Sequence, residues 1–174
     1  MPILKFSGML LILMTGWAIG FTIAKKFRQR PLQLRAFQSS LMMLQTEISY
    51  TATPLPEALN RVARRCETPI QDFYLAVVKQ LNSGQGLTAD EAWGSTLLDW
   101  QRISALPSGD ISILQNLGGA LGASDREEQV KHLLLAQEQL RQAEVKAELE
   151  RSKNETLWKY AGVLIGLLIV IVLY

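Results

Sequence analysis

Histidine and cysteine are almost absent from this sequence, which holds one of each, His132 and Cys66. One histidine excludes a metal site that needs two, and one cysteine excludes a disulfide within the chain. An excess of one sign of charge is also missing, since 18 lysines and arginines stand against 16 acids, for a formal net charge of +2. So small a net charge does not indicate a nucleic-acid partner. We therefore predict neither a metal site nor nucleic-acid binding.

The motifs that hold nucleotides are missing as well, although three glycines cluster in LGGALGASDREEQ, residues 117–129. A P-loop requires a lysine and a hydroxyl residue directly after its last glycine, and no lysine follows Gly122. A dinucleotide site requires G-x-G-x-x-G after a strand, whereas Gly118 and Gly119 are adjacent and follow a predicted helix. No acid–base pair or activated nucleophile emerges elsewhere. The sequence predicts no cofactor, no catalytic residue and no enzyme.

The same glycine-containing stretch is typical of a turn between two packed helices. Gly118 and Gly122 would let a neighbouring helix approach closely, or let the chain reverse. Ser124 is the predicted N-cap of the next helix, and Glu127, three residues later, can reach back to the backbone N–H of Ser124. Asp125 adds a second acid at the positive end of the helix dipole. We predict a helix turn and cap here.

Long apolar runs are what the sequence does have, and they lie at its two ends. Residues 6–24 carry no charge and approach the roughly 20 residues that a membrane-spanning helix needs, while residues 160–174 form a shorter run. Lysine and arginine cluster on the side of both runs that faces the middle of the chain, as in cytoplasmic flanks. A cleaved signal peptide would have a shorter apolar run. The pattern predicts transmembrane segments at 1–24 and 160–174, a cytoplasmic domain at 25–159, and a cell-membrane location.

The middle of the chain has the hydrophobic period of helices, because apolar residues recur three or four positions apart and no period-two run occurs. Pro31 is expected to interrupt or kink the first helix. Trp93 and Trp100, seven residues apart on one helix, are expected in the core. Three helices have predicted threonine N-caps: Thr53, Thr68 and Thr88. The predicted fold class is all-α, a cytoplasmic bundle of about six helices flanked by N- and C-terminal transmembrane helices.

A basic edge is the best candidate for a partner surface. Arg61, Arg64 and Arg65 would suit an acidic partner or the headgroups of membrane lipid, and a plain solvated face is the alternative. Cys66 is expected to pack on the apolar face of its helix, and His132 to lie on a helix surface or interface.

Two motifs resemble those of one protein family. TPLPEAL at residues 53–59 is followed by the pattern LG-x₂-LG-x-SD-x₃-Q and by a long helix into a terminal apolar run, as in stage III sporulation protein AB of endospore-forming bacteria. The resemblance covers essentially the whole chain. The second pattern is carried by Leu117, Gly118, Leu121, Gly122, Ser124, Asp125 and Gln129.

This resemblance implies a fold and a set of partners. The family is similar to the platform protein, the F component, of type II secretion and type IV pilus machines, which has six-helix cytoplasmic domains. The platform protein usually has two such domains and three spans, whereas one domain and two spans are predicted here. The resemblance implies a part of the channel between mother cell and forespore, in the mother-cell membrane around the forespore. The implied partners are the cytosolic assembly ATPase, stage III sporulation protein AA, and other channel subunits; a homo-oligomer is left open.

The expected function is a structural membrane scaffold that couples the assembly ATPase to a secretion-like complex. The alternative is a membrane-tethered regulatory helical domain that binds a soluble partner. Co-purification distinguishes the two, because a scaffold should be isolated together with the ATPase and channel subunits.

Overall fold

The computed structural model describes residues 2–51, 53–122 and 125–173, and the backbone of these residues forms helices and connecting turns without a strand. The helices are α1 (Pro2–Thr51), α2 (Leu55–Ala63), α3 (Ile70–Leu81), α4 (Ala89–Gln101), α5 (Ser108–Ala120) and α6 (Arg126–Leu173). The predicted all-α class is therefore confirmed.

The two predicted membrane spans are not supported. Over the parts of the chain that the structure describes, no helix has a stretch both long enough and apolar enough to cross a membrane. The prediction of transmembrane helices at 1–24 and 160–174, and the membrane location that depended on it, are therefore wrong. The C-terminal run is shorter than the roughly 20 residues of a span, and the N-terminal run is diluted by glycine, serine and threonine.

The chain divides into two compact units, which we call the terminal unit (Met1–Pro31 with Lys146–Tyr174) and the central unit (Leu32–Val145). Pro31 marks a boundary between these units, yet α1 continues through it. The expected interruption of the first helix at Pro31 is thus wrong, while the alternative expectation, a kink at this proline, stays a prediction. A proline inside a helix removes one hydrogen bond, which the remaining turns of this long helix tolerate.

The terminal unit joins the first part of α1 to the last part of α6. Arg30 on α1 forms an ion pair with Glu150 on α6, with 2.5 Å between Nη1 and Oε2. Within α6, Arg151 pairs with both Glu148 and Glu155 at 3.2 Å. The two pairs of Arg151 each join residues one helical turn apart on α6, so each contributes only weakly to helix stability. The pair of Arg30 with Glu150 is the one that connects two different helices.

An aromatic cluster forms the centre of the central unit. The rings of Phe73 and Trp93 meet edge to face with centroids 4.8 Å apart, and those of Phe37 and Trp100 do so at 5.2 Å. Tyr74 completes the cluster, 6.0 Å from Trp93. Edge-to-face ring pairs at such distances stabilise a core by more than the burial of their apolar surface alone. The helices α1, α3 and α4 are therefore held together by five rings.

Both tryptophans of α4 are buried in this core, as predicted. A buried indole needs an acceptor for its N–H. Trp93 Nε1 donates to the backbone carbonyl of Leu114 on α5 at 2.8 Å, and Trp100 Nε1 donates to that of Pro69 at 3.2 Å. Each indole is therefore held in one orientation by its hydrogen bond, in addition to being buried.

A buried hydroxyl pair connects α1 to α3. Ser40 Oγ lies 2.8 Å from the Phe37 carbonyl and 2.9 Å from the Tyr74 hydroxyl. Because a serine hydroxyl has one proton and it goes to the carbonyl, the Tyr74 hydroxyl must donate to Ser40. Burial raises the pKa of Tyr74 well above its ordinary value.

This buried tyrosine predicts a loss of stability in alkali. Because its pKa is raised in the folded state, its contribution is complete below the unfolded pKa of about 10 and is lost as pH rises above it. We expect the free energy of unfolding to fall above about pH 10, and Tyr74→Phe to flatten that fall while destabilising the protein by about 1 kcal/mol. Tyr50→Phe is the control, since Tyr50 is 85% exposed. Equal alkaline slopes for the two variants, measured by denaturant unfolding, would contradict the assignment.

Candidate partner surface and glycine turn

The glycine turn links α5 to α6 and uses a conformation that favours glycine. α5 ends at Ala120, and Gly122 has φ +83°, in the left-handed region. A Cβ at this position would lie 3.0 Å from the Cβ of Ala89 and 3.8 Å from Cδ2 of Leu55. Gly122 is therefore constrained both by its backbone angle and by its neighbours on α2 and α4.

Gly118 makes a different kind of contact one turn earlier. A Cβ here would lie 2.5 Å from Cδ1 of the buried Trp93, well inside van der Waals contact. At the adjacent Gly119, by contrast, a Cβ would have its nearest neighbour at 3.8 Å, an oxygen of Asp90. Of these two adjacent glycines, only Gly118 lets α5 approach the core tryptophan.

Asp125 caps the start of α6. Its Oδ1 accepts a hydrogen bond from the backbone N–H of Glu128 at 2.8 Å, and its carbonyl accepts one from Gln129 at 2.9 Å. This pattern is that of an N-cap residue. Ser124, the predicted N-cap, lies outside the described residues, and Glu127 is exposed in the first turn of α6.

The three arginines of the predicted basic edge differ in their surroundings. Arg61 donates to Oε1 of Glu57 at 2.7 Å and to Oε2 of Glu47 at 3.2 Å, and these hydrogen bonds, that to Glu57 first, raise the pKa of Arg61. Glu47 is buried on α1, 7% exposed. Since a buried carboxylate requires a partner, Arg61 connects α2 to α1 as part of the fold.

Arg64 and Arg65 are exposed and contribute less to this internal contact than Arg61 does. Arg65 reaches Glu47 only at 3.9 Å and its side chain is 63% exposed. Arg64 is exposed and, among the residues described, meets no carboxylate at ion-pairing distance. The exposed basic surface is therefore the pair Arg64 and Arg65. Arg61 belongs mainly to the ion pair with Glu47 that joins α2 to α1.

Cys66 and His132 have surroundings unlike those of catalytic groups. α2 ends at Ala63, so Cys66 lies in the following turn, and the expectation that it packs on the helix face is wrong. Cys66 is half-buried, and burial raises the pKa of its thiol, which lowers its fraction of thiolate. His132 is exposed on α6. Over the described residues, no group of three or more histidine, cysteine or acidic side chains could hold a metal ion.

A pocket of about 300 Å³ lies where the two motifs of the sequence meet. It opens between the end of α1, the start of α2, the glycine turn and the first two turns of α6. Its lining consists of Ile48, Thr53, Leu55, Gly122, Arg126 and Gln129. Sequence reasoning did not predict this pocket, because nothing local to TPLPEAL or to LGGALGASDREEQ indicates that they share one.

Six helices, with an aromatic core that joins α1, α3 and α4 in the central unit and with a basic pair and a small pocket in that unit, define an all-α protein. The sequence model of the stage III sporulation protein AB family matches residues 5–174. The stage III sporulation protein AB of Bacillus subtilis (strain 168) is 34% identical over 171 residues, covering 98% of this chain and 99% of that protein. A solved structure of stage III sporulation protein AB superposes with a TM-score of 0.67 and 31% identity, over 72% of this chain and 98% of the other.

This chain therefore belongs to the stage III sporulation protein AB family, and its role is in sporulation. The resemblance inferred from the two motifs is confirmed. The family's description names a sporulation protein and no enzymatic activity.

Proposed function

We propose that this protein is a structural scaffold of the mother cell–forespore channel and couples an assembly ATPase to a secretion-like complex. The proposed partners are stage III sporulation protein AA and the other channel subunits. The proposal is supported by membership of the stage III sporulation protein AB family. The coupling role itself is the expectation that follows from the resemblance to secretion platform proteins described above. A scaffold needs a rigid body that presents a fixed surface, and the aromatic core provides such a body.

The exposed pair Arg64 and Arg65 is the observation that best supports a partner contact. Both side chains extend from the end of α2, whose position is fixed by the pairing of Arg61 with buried Glu47. Guanidinium groups bind carboxylates with two parallel hydrogen bonds, so this surface suits an acidic partner. Charges of this kind raise the rate of association and its dependence on salt.

Replacing this pair tests the proposal. We expect Arg64→Glu combined with Arg65→Gln to weaken binding of purified stage III sporulation protein AA by about tenfold at low salt, with less effect at high salt. Thermal stability should change little, because exposed charges contribute little to folding. The matched control is Lys79→Glu with Lys131→Gln, which makes the same change in charge at exposed positions of α3 and α6.

Two outcomes separate the surface from the function. Unchanged ATPase binding in the arginine variant, when the wild-type chain binds, would remove this pair from the partner contact. Failure of the wild-type chain to co-purify with the ATPase or any channel subunit from sporulating cells would contradict the scaffold function itself.

A further inference from the structure

The pocket between the two sequence motifs has the chemistry of a peptide-binding site. We propose that it binds a short acidic segment of a partner protein, taking one side-chain carboxylate at Arg126 and a neighbouring apolar side chain against Ile48 and Leu55. This inference goes beyond the proposed function, since it needs neither Arg64 and Arg65 nor the identity of the ATPase.

Charge identifies the polar end of the proposed ligand. Arg126 is the charged member of the lining, and no carboxylate of the described residues lies at ion-pairing distance from it. Its guanidinium can therefore donate two parallel hydrogen bonds to an incoming carboxylate. Asp125 and Glu127 adjoin Arg126 in the chain, and their charges disfavour a doubly charged phosphate more than a singly charged carboxylate.

Shape and apolar surface identify the rest of the ligand. A volume of about 300 Å³ is at the lower limit of ligand pockets and accommodates one or two side chains. Ile48 is 7% exposed and Leu55 is half-buried, so they form an apolar wall at the side of the pocket. Gly122 also lines the pocket, and a Cβ there would lie 3.0 Å from the Cβ of Ala89 and 3.8 Å from Cδ2 of Leu55, so the absence of a side chain leaves room beside Leu55.

Nuclear magnetic resonance titration of the full chain tests this site. The two probes are blocked dipeptides, acetyl-leucyl-glutamic acid amide and acetyl-leucyl-glutamine amide, which differ by one negative charge. We expect the glutamic acid peptide to shift the backbone amides of Gly122 and Gln129 in a saturable way, and to bind about tenfold more tightly than the glutamine peptide. Arg126→Gln should abolish this difference. Lys131→Gln, an equal change of charge on exposed α6 outside the lining, should retain it.

Other outcomes overturn the proposal. Equal binding of the two peptides, or shifts at Gly122 and Gln129 that do not saturate, would mean that the pocket does not recognise a carboxylate. A preference that survives Arg126→Gln but is lost in Lys131→Gln would place the recognising charge elsewhere on α6. Because no ATPase is present in this titration, its failure leaves the test of the scaffold function unaffected.

Discussion

Replacing Gly118 with alanine should destabilise the protein by about 2 kcal/mol or more, although alanine is ordinarily the better helix residue by about 1 kcal/mol. The added Cβ would lie 2.5 Å from Cδ1 of Trp93. Trp93 cannot easily move aside, because its ring packs on Phe73 and its N–H is bonded to the carbonyl of Leu114. Interiors packed to this density accommodate an extra methyl group only by straining side chains or backbone.

Gly119→Ala is the matched control for this substitution. Both glycines lie in α5, and a Cβ at Gly119 meets nothing closer than 3.8 Å. We expect Gly119→Ala to be neutral or to stabilise by up to about 1 kcal/mol, as helix propensity predicts. Denaturant unfolding of both variants measures the difference, and equal free energies of unfolding would show that α5 does not depend on its approach to Trp93.

Replacing Gly122 should have the second largest effect on stability. Any other residue there must adopt φ +83°, and its Cβ would lie 3.0 Å from that of Ala89. We expect Gly122→Leu to lower the free energy of unfolding by about 1–3 kcal/mol, with a smaller loss for Gly122→Ala.

Gly84 separates the two causes of this effect. It has φ +76° but nothing within 4 Å of a Cβ, so Gly84→Ala measures backbone strain without a steric contact. We expect Gly122→Ala to destabilise more than Gly84→Ala, and the difference is the contribution of the contact with Ala89. If Gly84→Ala proves at least as destabilising, the contact with Ala89 has no measurable effect.

Local sequence chemistry predicted some helix boundaries and not others. The N-cap predicted at Thr88 is confirmed, and it forms a capping box with Glu91. The Thr88 backbone N–H donates to Glu91 Oε2 at 2.8 Å, and the Glu91 N–H donates back to the Thr88 hydroxyl at 3.3 Å. The N-caps predicted at Thr53 and Thr68 are wrong, since Pro54 and Pro69 occupy those positions without a side-chain cap bond. In a Thr-Pro pair, the helix can start with the threonine as its N-cap or one residue later with the proline as its N-cap. The local sequence allows both starts, and the packing of the helix decides between them.

Contacts between distant segments are what the sequence could not predict. The arginines at and after the end of α2 are visible as a cluster in the sequence. The buried partner of Arg61 is Glu47, however, and the two meet only because α1 and α2 pack together. Similarly, two adjacent glycines look equivalent in sequence, and the tryptophan that distinguishes them lies more than twenty residues earlier. Helical period and composition therefore predict the helices and the fold class. The pocket and the ion pair of Arg61 with Glu47 depend on how distant helices pack together.

The placement of the four tryptophans gives each unit its own optical signal. Trp93 and Trp100 are enclosed within the central unit, whereas Trp17 and Trp158 belong to the terminal unit and are 56% and 37% exposed. Enclosed indoles emit at shorter wavelengths and are shielded from a dissolved quencher such as acrylamide. Intrinsic fluorescence can therefore follow the two units separately and reveal whether they unfold in a single cooperative transition.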